Sequence, residues 1–73
     1  MYNGHRNWNH WNVSLWLFND EGLYGCVCEA VAETGTLDAA ARLLVDAYLP
    51  AQTMDGAPFT FTSVRAALVG WED

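Results

Sequence analysis

Residues 8–24 read WNHWNVSLWLFNDEGLY, and the fold turns on how this stretch is read. It holds three of the chain's four tryptophans, and its end turns acidic. As a strand, Val13, Leu15 and Leu17 would alternate with Ser14, Trp16 and Phe18 and bury both faces. As a helix, Trp8, Trp11, Leu15 and Phe18 share one face, with Asn7 as N-cap. Val13, Trp16 and Leu17 then fill the neighbouring sector. The helical spacing begins before the apolar run does, so helix is the preferred reading.

Working outward, Asn19 ends this helix and Asp20 caps the next. Glu21 then lies near the positive end of the second helix dipole. Leu23, Tyr24, Val27, Ala30 and Val31 give that helix an apolar face to about residue 33. Gly22 and Gly25 weaken it, and Gly25 offers a place for another helix to approach closely. Thr34-Gly35-Thr36 is punctuation: Gly35 suits a left-handed stop and Thr36 the next N-cap. A third helix follows at about 37–48, with Leu37, Ala40, Ala41, Leu44, Val45 and Tyr48 in helical period. Asp38, Arg42 and Asp46 run along its opposite, solvated side.

Residues 50–60 read as a loop with an Asp55-Gly56 turn and Pro58. Phe59 to Thr62 suggests a short extended piece. Thr62 or Ser63 then caps a last helix bearing Val64, Ala67, Leu68 and Trp71. At the other end, residues 1–6 are an irregular lead-in with a turn at Asn3-Gly4. The expected fold is all-α, a small bundle of three to four short helices in one domain, 1–73. The expected core is Trp11, Leu15, Leu23, Val27, Leu37, Leu44, Val45, Val64, Leu68 and Trp71.

A chain of 73 residues buries a modest core, so large aromatics are expected as structural mass. Nine acids face three arginines and no lysine, for a formal net charge of -6. Such a surface repels nucleic acid and acidic lipid and attracts basic protein surfaces. The 52% apolar content argues against disorder. No signal peptide is visible, and Val13 to Phe18 is too short to span a bilayer, so a cytosolic protein is expected. Cys26 and Cys28, two apart on a helix, point to nearly opposite sides and are expected as buried or half-buried free thiols.

Catalytic signatures are missing: there is no phosphate loop and no nucleophile elbow. His5 and His10 could join a cysteine or carboxylate on zinc, but surface or helix-end histidines are the simpler reading. Asp20 with Glu21, or Glu29 with Glu33, have the spacing of a solvated face rather than an acid/base pair. No enzyme activity, metal or cofactor is expected. What remains is protein binding through carboxylates. The candidate partner-binding residues are Asp20, Glu21, Glu29, Glu33, Asp38, Asp46 and Asp55, with Trp8 as the one tryptophan expected to be partly exposed.

Tyr2-Asn3-Gly4, Trp11-Asn12-Val13, Leu15-Trp16 and NDEGLY (19–24) resemble a family of short proteins common in phage genomes. Asn9-His10 stands where that pattern has Glu-Thr. This resemblance covers about the first third of the chain and implies no activity. In its type the chain is also similar to anti-CRISPR inhibitors: small, acidic, lysine-free and without catalytic motifs. That resemblance implies an inhibitor acting in the host bacterial cytoplasm as a DNA mimic. Its carboxylates would engage the lysines and arginines of a CRISPR effector, a type I surveillance complex, and exclude target DNA. The alternative is a phage structural or housekeeping module that docks through its Trp-rich N-terminal segment, as monomer or homodimer.

Overall fold

The computed structural model describes residues 4–72, with side chains through Trp71. Met1, Tyr2 and Asn3 lie outside the described residues, and so does half of the expected Asn3-Gly4 turn. Gly4 itself has φ +85°, a left-handed conformation that glycine adopts without a steric cost. Four α-helices follow: α1 (Trp8–Asn19), α2 (Glu21–Thr34), α3 (Leu37–Leu43) and α4 (Phe61–Glu72). A π-helical segment, Leu44–Tyr48, continues α3.

The ends of the helices use the chemistry expected of them. Asn7 accepts from the His10 backbone N–H at 3.0 Å, Asp20 from Leu23 and Thr36 from Ala39, each meeting a donor that the helix leaves unpaired. Gly35, at φ +79°, closes α2. The last helix begins earlier than expected. Thr60 and Ser63 cap each other: Ser63 N–H donates to Thr60 Oγ1 and Thr60 N–H to Ser63 Oγ, both at 3.1 Å. That reciprocal pair draws Phe61 and Thr62 into α4 instead of an extended piece. Among the described residues the nearest thing to a sheet is one isolated antiparallel bridge, Gln52 to Pro58.

α1 packs on α2 and α4, and α3 packs on the same two helices, so the four close into a ring. The enclosed core is built from small and medium side chains: Val13 and Leu17, Val27 and Ala30, Ala40, Ala41 and Leu44, Ala57 and Phe59, then Val64, Ala67 and Leu68. The expected face of α1 is corrected by this packing. Leu15 is 38% exposed, whereas Val13 and Leu17 are fully buried. A helix apolar nearly all round offers two stripes, and periodicity cannot choose between them. The choice falls to Asn12, 1% exposed, whose polar partners lie in the 50–60 loop.

Trp71, expected in the core, is also 38% exposed. Trp11, Leu23, Leu37 and Val45 are half-buried, while Val27, Leu44, Val64 and Leu68 are buried as expected. Among the described residues, no atom outside its own stretch of helix lies within 4 Å of a Cβ built on Gly25, so no other helix approaches there. The expected third helix is present but widens at its end. Leu49 N–H donates to Leu44 O at 2.8 Å, the five-residue reach of a π turn.

Candidate functional site

Three surface settings hold the groups that sequence analysis singled out. The first lies where α2 meets the π-helical segment. Glu29 and Glu33, four residues apart, share one exposed face of α2. The Tyr48 hydroxyl donates to Glu33 Oε2 at 2.8 Å and ties the π segment to that face. The bond to Glu33 chiefly raises the Tyr48 pKa, with partial burial and the charges of Glu33, Glu29 and Cys26 adding to it. Glu33 is thus the acid of the pair that bonds the phenol. The Asp46 side chain, two residues before Tyr48, is exposed and makes no hydrogen bond or ion pair among the described residues. Glu21, at the start of α2, is likewise exposed and makes no side-chain bond among the described residues.

The second setting surrounds Trp16. Asp55, expected as a bare carboxylate in a loop, is held by α1. Asn12 Nδ2 and Trp16 Nε1 both donate to Asp55 Oδ2 at 2.9 Å. These two bonds, Asn12's first, hold the Asp55 carboxyl below the ordinary range. The Asn12 carbonyl accepts from Thr53 Oγ1 at 2.6 Å. Thr53 in turn closes its own loop: its N–H donates to Ala57 O and its Oγ1 accepts from Ala57 N–H. Asp20 and Asp55 line a cleft of ≈ 310 Å³ beside Leu15 and Trp16. Asp20 also serves as the α2 cap through its Oδ2.

Nothing in the spacing of the chain advertised this cluster. Its members sit 39 to 43 positions apart, and an Asn in an apolar helix was the one available signal. A buried amide requires partners for both ends, and these come from the loop.

The third setting is an open groove between the start of α1 and α4, of ≈ 510 Å³, lined by His5, Arg6, His10, Ser14, Phe61 and Arg65 among others. Arg42 stacks over the Phe61 ring at 4.3 Å from its centroid. All three arginines and both histidines of the chain thus lie in or against this groove. Asp38 belongs here too, since Arg65 Nε is hydrogen-bonded to Asp38 Oδ1. The expected solvated row of Asp38, Arg42 and Asp46 is exposed, but its first two members are engaged with α4.

Trp8, Trp11 and Trp16 are each partly exposed, as expected for Trp8. Trp8 is half-buried and packs against the core. A second, more exposed aromatic cluster lies where Phe18, Tyr24 and Trp71 meet with centroids 6.1–6.3 Å apart. Tyr24 and Trp71 are each 38% exposed. Cys28 is exposed and Cys26 half-buried, both as free thiols; the expectation of burial holds for Cys26 alone. Among the described residues no three or more His, Cys, Asp and Glu are grouped to hold a metal ion. Among the same residues no helix is long and apolar enough to cross a membrane.

A family model, described as a family of unknown function (DUF7249), matches residues 1–70, and the chain belongs to that family. No curated protein and no solved structure matches the chain.

Proposed function

We propose that this DUF7249 member is a stoichiometric binding module, not an enzyme, whose acidic α2 face and π-helical segment engage a basic protein surface. One observation carries the reading: the charges are segregated. The basic residues gather at the α1–α4 groove. α2 and the π segment hold Glu21, Glu29, Glu33 and Asp46 with no basic residue among them. Against a background of -6, that face presents carboxylates with no local cation to neutralise them. A surface built to bind phosphates would attract it and hold it by charge-assisted bonds.

The resemblance to small acidic phage inhibitors supports a narrower version. In it the partner is the DNA-reading surface of a CRISPR effector, a type I surveillance complex, in the host cytoplasm. Carboxylates would take the place of target-DNA phosphates, and the effector would lose DNA binding. Calorimetry of the chain against the purified complex tests this. Binding should weaken steeply with added salt, since the attraction is screened. Absence of heat at low salt would overturn it.

A second reading is docking through aromatics, as in a phage structural or housekeeping module. The exposed Phe18–Tyr24–Trp71 cluster supports it, at a different place from Trp8. On that reading Tyr24→Ala abolishes partner capture and loss of the acids leaves it intact.

A further inference from the structure

The groove between α1 and α4 is not used by the acidic face, and it is where the chain departs most from its own average charge. We propose that this groove binds a small organic phosphate, with Arg6, His10 and Arg65 around the phosphate and Phe61 and Val69 beside the organic part.

Four observations support this. The groove's volume of ≈ 510 Å³ falls within the range of small-molecule sites, about 300–1,000 Å³. Arg6 makes no ion pair or hydrogen bond within the described chain, so its guanidinium is available. Arg65 meets Asp38 through Nε, and a guanidinium so held keeps its two terminal nitrogens as donors in a fixed orientation. The hydroxyls of Ser14 and Thr62, also in the lining, add donors that a phosphate can use and an unsubstituted apolar ligand cannot.

The size of the ligand follows from the field of the whole molecule. A nucleic acid approaching the groove would also face the carboxylates of a chain at -6, and its many phosphates would be repelled. A small phosphate inside the groove sees mainly the local cations. Burial holds the His10 pKa down, and the charges of Arg6 and His5 add to this. The groups facing His10 are therefore Arg6, His5 and Arg65, with Asp38 behind Arg65 and Arg42 behind Phe61. A bound phosphate offsets the repulsion among the cations, so binding favours protonated His10.

The test is a two-dimensional amide NMR titration of the full chain with adenosine monophosphate, inorganic phosphate and adenosine. Adenosine monophosphate should give saturable shifts around His5, His10 and Arg65, and adenosine none. Its affinity should exceed that of phosphate. Arg6→Gln, at an exposed position, should keep the spectrum of a folded chain and weaken binding about tenfold, the loss of one charge-assisted contact. Three results would overturn the assignment: no saturable shift up to about 10 mM ligand, adenosine binding as well as its phosphate, or unchanged affinity in Arg6→Gln. Equal affinity for phosphate and adenosine monophosphate would overturn the organic part of it.

Discussion

Asn12 and Asp55 are 43 positions apart in the chain, and the Asn12 amide donates to the Asp55 carboxylate at 2.9 Å. The same Asn12 accepts from Thr53 at 2.6 Å in a buried setting. One side chain on α1 thus fixes both the loop that follows the π segment and the rotation of α1 about its axis. Asn12→Ala should lower stability by about 1–3 kcal/mol, the usual result of leaving a buried hydroxyl without its partner. Chemical denaturation checks this, with a lowered midpoint expected and the slope unchanged.

The carboxylate end of the cluster makes stability depend on pH. Asn12 and then Trp16 lower the Asp55 pKa in the folded chain. Because the folded value lies below the unfolded one, the contribution is complete above the unfolded value and disappears as the pH falls through the folded one. The wild-type chain should therefore lose stability relative to Asp55→Asn as the pH drops below about 4. Parallel curves for the two proteins between pH 7 and pH 3 would show that the bonds to Asp55 do not discriminate between its charged and neutral forms.

The corrected face of α1 yields a paired test. Leu17→Ala removes a fully buried side chain and should destabilise by about 2–5 kcal/mol. Leu15→Ala acts at a position 38% exposed and should have a clearly smaller effect. Equal losses in thermal unfolding would contradict the orientation of the helix.

Gly25 lies inside α2 with open space around it. Gly25→Ala should therefore stabilise the chain by about 0.5–1 kcal/mol, through helix propensity and a less flexible unfolded state. A lowered melting temperature would mean that something occupies that space.

Local chemistry was legible in the sequence, and the choice of faces was not. Asn7, Asp20, Gly35 and Thr36 act at helix ends through contacts with residues a few positions away. Short range makes such roles readable. The burial of Val13 and Leu17 over Leu15 depends on Asn12 meeting Thr53 and Asp55, which local spacing cannot reveal. The π turn at Leu44–Tyr48 keeps the helical pattern of apolar residues and so passes as ordinary α-helix. Among the candidate site residues, Glu29 and Glu33 were correctly placed on one face. Asp38 and Asp55 give no sign in the sequence of their partners, Arg65 and the Asn12–Trp16 pair, because those are set by the fold. The groove escaped notice because His5, Arg6 and His10 lie far in sequence from Arg65.

These partners also decide which acids make a clean probe of the proposed face. Substituting Glu33 would break its bond to Tyr48, and substituting Asp38 would release Arg65. Glu29 and Asp46 are exposed and hold nothing in place. The most direct measurement is target-DNA binding by a type I surveillance complex, titrated with the wild-type chain and with the Glu29→Lys, Asp46→Lys double variant. The wild type should displace DNA, while the variant should keep its helical circular dichroism and fail to displace it. Displacement by both proteins alike, or by neither, would contradict the proposal.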